Sequence, residues 1–223
     1  MARTFTEKIA RARGILFDLD NTLYPREKGV FDRVNERIDR FVSVLTTLPP
    51  PGVKDLRRDY VQRYGTTLCG LMENHGVQPS EFLEFVHDVP LTDLLSPDEA
   101  LRDFLSRIDL PKVIFTNASS SHAVRVLDAL VVGDQFDGIC ALEAVGYRGK
   151  PHREAYRMAA DLLNASADDT LFIDDLDVNV RVGSSLGMKT VYVGAEPLEE
   201  ADLVVSRVVD MAEHLTGVEW FRG

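Results

Sequence analysis

The sequence predicts an α/β fold, a parallel sheet core with an all-helical segment inserted after the first strand. Three observations lead there. Short apolar runs recur, each too short for a helix and bounded by Gly, Pro or Asp. Between them lie stretches with apolar residues at helical spacing, and strand–helix alternation implies right-handed βαβ units. The stretch from Tyr24 to Leu95 breaks that alternation and contains no convincing strand.

The first run is Gly14-Ile15-Leu16-Phe17, opened by Gly and ending at Asp18-Leu19-Asp20-Asn21-Thr22. The insertion follows. Phe31, Val34, Ile38, Phe41, Val42 and Leu45 form a helical stripe. Leu48-Pro49-Pro50-Pro51-Gly52 is expected to break helix and act as a rigid connection. Leu56, Tyr60, Val61 and Tyr64 begin a second helix, whose pattern allows it to run past Gly65 and Gly70. Ser80 to Val86 reads as a third, with Ser80 as its N-cap. Further strands are expected at Lys112–Thr116, Phe136–Cys140, Thr170–Ile173 and Thr190–Val193. Helices are expected at His122–Leu130, with Val124, Leu127 and Leu130 inward, and at His152–Leu163, with Ala155, Met158, Ala159 and Leu162 on one face. A last one spans Val178–Leu186. The expected organisation is a core of residues 1–23 and 96–223 and a helical cap of residues 24–95, standing over the edge where such sheets bind ligands.

A chain of 223 residues can hold one good-sized core plus a smaller insertion. Its net charge of −11 argues against a nucleic-acid polymer or an anionic membrane as partner, since both call for basic patches. A small phosphorylated substrate needs only local positive charge. Cys69 and Cys140 lack metal-ligand spacing and read as free thiols of a reducing compartment. Met1-Ala2-Arg3-Thr4-Phe5 lacks the apolar core of a signal peptide, and no apolar stretch approaches the roughly 20 residues of a membrane span. The expected location is cytoplasmic, as monomer or homodimer.

Chemistry is expected at the strand ends. Asp18 and Asp20 leave the first strand at its carboxyl end, where open α/β sheets bind ligands. Placing two carboxylates side by side is costly unless a cation or a shared proton offsets it. Thr116-Asn117 ends the second strand and precedes Ala118-Ser119-Ser120-Ser121 and a helix, so a hydroxyl, backbone N–H groups and a helix N-terminus make an anion site. Lys150, between Gly149 and Pro151, is a fixed cation near a helix start and needs an anion other than the helix dipole. Asp174-Asp175 adds carboxylates to the same edge, with Asn179 just beyond. Three or more Asp converging there call for Mg²⁺, a hard cation that takes oxygen ligands and a substrate phosphate. Other residues receive plainer readings. The serines are helix caps, His122 faces solvent near a helix start, and His75 ends a helix. His87 stands outside these clusters; Tyr24, Tyr60 and Tyr64 are cap core, and Trp220 and Phe221 pack the tail.

With these residues in order, the chain resembles the haloacid-dehalogenase-like superfamily of phosphatases, whose four signatures match Asp18-Leu19-Asp20-Asn21-Thr22, Phe115-Thr116-Asn117, Lys150-Pro151 and Ile173-Asp174-Asp175 with Asn179. Leu23-Tyr24-Pro25, Tyr64-Gly65-Thr66-Thr67-Leu68, Gly70-Leu71-Met72 and Val86-His87-Asp88 look like its pyrimidine 5′-nucleotidase branch. Leu176 departs from the pattern, since relatives often have Ser there. The resemblance implies a Rossmann-like core. It implies Asp18 as nucleophile forming an aspartyl-phosphate and Asp20 as acid and base. It implies Mg²⁺ on the Asp18 carboxylate, the Asp20 carbonyl and Asp175, with Asp174 and Asn179 as ligand or support. Thr116, the Asn117 backbone and Lys150 would hold the phosphoryl oxygens. Asp20 argues against a dehalogenase, and the full motif set argues against a non-catalytic phosphate binder. A phosphomutase stays open, as do sugar phosphates and phosphoglycolate as substrates.

Overall fold

A computed structural model describes residues 4–222. Met1, Ala2, Arg3 and Gly223, which the expected core boundaries include, lie outside the described residues. A short helix α1 (Phe5–Ile9) leads into β1 (Gly14–Phe17). Helices α2 (Val30–Thr46), α3 (Pro50–Tyr64), α4 (Thr67–His75) and α5 (Pro79–His87) follow before the chain returns through α6 (Glu99–Ser106) to β2 (Lys112–Phe115). Then come α7 (Ser120–Leu130), β3 (Gly138–Cys140), α8 (Arg153–Leu162), β4 (Thr170–Asp174), α9 (Asp177–Ser185), β5 (Lys189–Val193) and β6 (Leu203–Val205).

The strands form a six-stranded sheet in the order β3-β2-β1-β4-β5-β6, and every pairing is parallel. β1, β2 and β4 are buried along their whole length, as strands covered by helices on both faces must be. That explains their uninterrupted apolar runs. Register then aligns the strand ends: Phe17 sits opposite Ile114 on one side and Ile173 on the other. The Asp18 N–H donates to the Ile173 carbonyl at 2.9 Å. Asp18, Thr116 and Asp175, each just past a strand, and Asp174, the last residue of β4, therefore lie on one edge of the sheet.

Several local expectations need correction. The chain does break between α2 and α3, but the connection is shorter than Leu48–Gly52, since Pro50, Pro51 and Gly52 already belong to α3. Pro49 is an N-cap and α3 starts at Pro50, because the first turn of a helix has no use for the missing N–H. The second helix stops at Tyr64, where Gly65 takes a left-handed φ of 85°, and α4 starts anew with Thr66 as its cap. Gly70 lies inside α4, where any Cβ would overlap the Tyr60 ring, so α3 and α4 pack closely only with glycine there. Ser80 is not the cap of α5; Gln78 is, with Pro79 in the first turn. Two helices were read in the wrong phase. Val124, expected inward, is exposed, and α7 instead buries His122, Ala123, Val126, Leu127 and Leu130. In α8, Met158 and Leu162 are exposed, while Tyr156 and Ala160 are buried beside Ala155 and Ala159. The sequence reading also did not expect α1, α6 or β6.

Candidate active site

The ammonium of Lys150 marks the centre of the site. It donates to Asp18 at 2.6 Å and to Asp174 at 2.7 Å. Its side chain is 1% exposed, and Nζ lies 5.1 and 5.6 Å from the ring centroids of Phe115 and Phe172. The Lys150 backbone is pinned from both sides by one amide: Asn117 Nδ2 donates to the Lys150 carbonyl at 2.7 Å, and the Lys150 N–H donates to Asn117 Oδ1 at 2.8 Å. A side chain at position 149 would strike that same Asn117 oxygen, which explains Gly149. Burial works against the Lys150 charge, but Asp174 and Asp18 outweigh it and hold the ammonium above its ordinary pKa.

Asp174 is fully buried and heavily engaged. Besides Lys150 it accepts from Asn179 Nδ2 at 2.9 and 3.1 Å and from the Leu176 N–H at 2.8 Å. Asp175 is half-buried and accepts from Asn21 Nδ2 at 3.3 Å. Burial and the neighbouring Asp174 push Asp175 up to about 6. Asp18 is raised well above the usual carboxylate range by burial, with Asp174 and Asp175 adding to it against the pull of Lys150. One oxygen from each of Asp18, Asp174 and Asp175 lies within 4.8 Å of the others. An all-carboxylate set at this spacing, under-neutralised by a single ammonium, fits a hard divalent cation. Asp20 contributes no side-chain oxygen to this set.

The Asp20 carboxylate turns elsewhere. It accepts from the Tyr24 hydroxyl and from His122 Nε2 at 3.0 Å. Burial raises its pKa, but the charge and hydrogen bond of His122, with the bond from Tyr24, bring it below the usual range. His122 was expected to face solvent and instead is 0% exposed. Its backbone N–H is held by the Ser119 cap, which aims the first turn of α7 at the sheet edge. The His87 ring from α5 stacks on His122 at 4.4 Å and shares a 2.9 Å hydrogen bond with Ser119. Tyr24, expected as cap core, is buried but has its hydroxyl on the site. The periodicity 122, 123, 126, 127, 130 was the signal for His122; it was obscured because Val124 was placed in the apolar stripe.

Thr116 is buried, and its hydroxyl accepts from the Ala118 N–H at 3.0 Å. Thr116, Asn117, Asp18, Asp20, Lys150 and Asp175 line one wall of a cavity of about 330 Å³. Residues of α2 to α5, including Phe31, Ile38, Leu68 and Phe82, line the other. Residues 12–187 match the model of the haloacid dehalogenase-like hydrolases.

The chain belongs to that family. It is 30% identical over 187 residues to Phosphate metabolism protein 8 of Saccharomyces cerevisiae, covering 77% of this chain and 58% of that protein. It is 33% identical over 104 residues to the β-phosphoglucomutase of Bacillus subtilis, covering 46% of each. The chain thus spans about half the length of these relatives, 58% of the first and 46% of the second. The L-2-haloacid dehalogenase of Xanthobacter autotrophicus has the same fold, with a TM-score of 0.61 at 15% identity over 92% of this chain and 99% of that one. As a haloacid dehalogenase-like hydrolase the chain has an α/β core, with its acidic cluster at the carboxyl ends of β1 and β4. No helix among the described residues is long and apolar enough to cross a membrane.

Proposed function

We propose that this hydrolase is a Mg²⁺-dependent phosphomonoesterase acting on a small phosphate ester, with a pyrimidine nucleoside 5′-monophosphate as the leading substrate. The observation that carries this reading is the shared edge of Asp18, Lys150, Asp174 and Asp175, with Lys150 bridging two carboxylates and three carboxylate oxygens converging. Motif resemblance at Leu23-Tyr24-Pro25 and in the cap supports the pyrimidine assignment. Residues 24–95 act as the cap in this reading. Two unlinked thiols, Cys69 and Cys140, fit a cytoplasmic setting, with the protein a monomer or homodimer.

In the mechanism, an Asp18 oxygen attacks phosphorus. The new O–P bond gives an aspartyl-phosphate as the ester O–P bond breaks. The departing alkoxide takes a proton from the Asp20–His122 pair, and Asp20 then takes one from the water that attacks the phosphorus of the intermediate, releasing phosphate and restoring Asp18. Because Asp20 and His122 are in contact, the transferable proton belongs to the pair rather than to either group. Tyr24 and His122 act as positioning residues that keep Asp20 turned from the acidic cluster. Thr116, the Asn117 backbone and Lys150 hold the phosphoryl oxygens as charge moves. Asp18, Asp175 and the Asp20 carbonyl would hold Mg²⁺, with Asp174 as ligand or support, and the ion would supply charge neutralisation to the nucleophile and the phosphoryl group.

The likeness to a protein named β-phosphoglucomutase favours a second reading, in which a sugar hydroxyl rather than water accepts the phosphoryl group. Phosphate release from UMP, CMP, AMP, phosphoglycolate and hexose phosphates, with Mg²⁺ and with EDTA, separates the two. Metal-dependent release supports the hydrolase reading. Conversion of a hexose phosphate without free phosphate supports the mutase.

A further inference from the structure

We propose that His87, the last residue of α5, is a positioning residue for protonation of the leaving group: its ring stacks on His122 and holds that imidazole against Asp20. This rests on the phosphomonoesterase reading and adds a residue through which the helical insertion supports the proton step.

Two donors, the Tyr24 hydroxyl and His122 Nε2, bond the same Asp20 oxygen, Oδ1. Asp20 lines the cavity beside Asp18, Thr116 and Lys150, so Oδ2 is the oxygen left for a leaving group. Its direction depends on how firmly His122 stands. An imidazole that orients a reacting group is commonly oriented in turn by a hydrogen bond on its other nitrogen. His122 lacks that bond, because its Nδ1 is buried and has no partner among the described residues. The ring is instead held by its face. The His87 ring lies on it with centroids 4.4 Å apart and planes 24° from parallel. Turning His122 away from Asp20 would leave both its nitrogens unpartnered, and the stacked ring stands in the way of that turn.

His87 is itself fixed, by residues spaced three apart along α7. Ser119, the N-cap, shares a 2.9 Å hydrogen bond with His87 Nδ1, and its hydroxyl oxygen also accepts the His122 N–H at 3.2 Å. Arg125 Nη1 donates to the His87 carbonyl at 2.9 Å, and its Nη2 donates to the Val89 carbonyl at 2.5 Å. One edge of the His87 ring and the backbone behind it are therefore anchored to the helix that carries His122. Burial, with His122 and Arg125 and against the pull of Asp20, depresses the His87 imidazole to about 3. The ring is thus neutral near pH 7 and lies on His122 without like-charge repulsion when the Asp20–His122 pair carries its proton. His87 also lines the cavity, so direct contact with the substrate is the rival role, and the two roles differ in how the loss depends on the leaving group.

The test uses the Mg²⁺-loaded protein and the ester of the panel above that wild type hydrolyses fastest, UMP in the reading proposed. It compares kcat/KM for that ester with kcat/KM for its analogue carrying sulfur in place of the bridging oxygen. The two are close in shape, but a thiolate leaves with little need of a proton. Their ratio is independent of the fraction of protein folded. His87→Ala should lower the oxygen-to-sulfur ratio about tenfold, the scale of one lost ring stack. His87→Phe keeps a ring on His122 and should hold the ratio within about twofold of wild type. In a His122→Phe background, His87→Ala should change the ratio no further, because it acts through His122. Equal losses on both esters in His87→Ala overturn the inference and mark a substrate contact or a role in folding alone. A loss in His87→Phe as large as in His87→Ala overturns it too, as do independent losses in the double variant. In each of these cases phosphomonoesterase action stands. Release from no ester of the panel overturns both readings together.

Discussion

Asp18 and Asp20 are two residues apart on one loop, yet their surroundings are opposite. Asp18 faces Lys150, Asp174 and Asp175, and burial with like charge raises its pKa. Asp20 faces a hydroxyl and an imidazole and has its pKa lowered. Taken alone these directions run against a nucleophile at Asp18 and an acid at Asp20. Two features reconcile them. A divalent cation on the carboxylate cluster would hold Asp18 ionised. In the proposed mechanism the leaving group takes its proton from the Asp20–His122 pair, whose members are in contact at 3.0 Å. The difference teaches that two carboxylates of one motif can sit in opposite electrostatic settings, and the proposed mechanism gives the first to a metal and the second to a proton.

The contrast breaks most completely if Asp18 is dispensable. Asp18→Asn should cut phosphate release from every ester, whatever its leaving group, by about 10⁴-fold or more. Acid-quenched protein should then carry no phosphate. Near-normal turnover in that variant would remove the nucleophile assignment.

Lys150→Ala should lower folding stability of the metal-free protein by roughly 3–5 kcal/mol, since it strands the buried Asp18 and Asp174 without their counter-charge. Urea unfolding measures this. Mg²⁺ should restore part of the loss, about 2.7 kcal/mol at one hundred times its Kd.

On the Asp20 side the effect should depend on the leaving group. His122→Phe should slow an alkyl phosphate by about 10²-fold, the usual scale of acid–base help. A p-nitrophenyl ester, whose leaving group needs no proton, should suffer much less. Equal losses on both esters would erase the distinction between the two carboxylates.

The smallest effect concerns His87, which burial and the stacked His122 ring depress from 6.5 to about 3. A depressed histidine favours the neutral form in the folded state, so the unfolded chain binds more protons between these values. The stability it contributes is fully present above about pH 6.5 and falls as pH drops towards 3, by at most ~1.4 kcal/mol per pH unit. Urea titrations at pH 7 and pH 5 should show a shallower acid loss in His87→Gln than in wild type.

How much was legible follows from burial. β1, β2 and β4 are covered on both faces and read as apolar runs. β6, only partly buried and at the sheet edge, is the three-residue run Leu203–Val205, shorter than those of β1, β2 and β4. Asp18, Asp20, Thr116, Lys150, Asp174 and Asp175 sit in short polar breaks directly after strands or before a helix, so their placement was readable. The structure brings all six to the lining or the base of one site. His122 and His87 receive plain readings in the sequence because they belong to helices far apart in the chain, and with Val124 counted inward the sequence turns His122 towards solvent, whereas the structure buries it against His87.

The sequence by itself determined the α/β class, the position of the helical insertion and the acidic edge, because local burial patterns and strand-end polarity are written in consecutive residues. The tertiary structure alone decided that Lys150 bridges Asp18 and Asp174, that Tyr24 and His122 claim Asp20, and that Asn35 and Asp39 fix Arg57. The physical reason is that each of these depends on where a side chain's partner lies in space. Strand register and helix packing set that, while spacing along the chain does not.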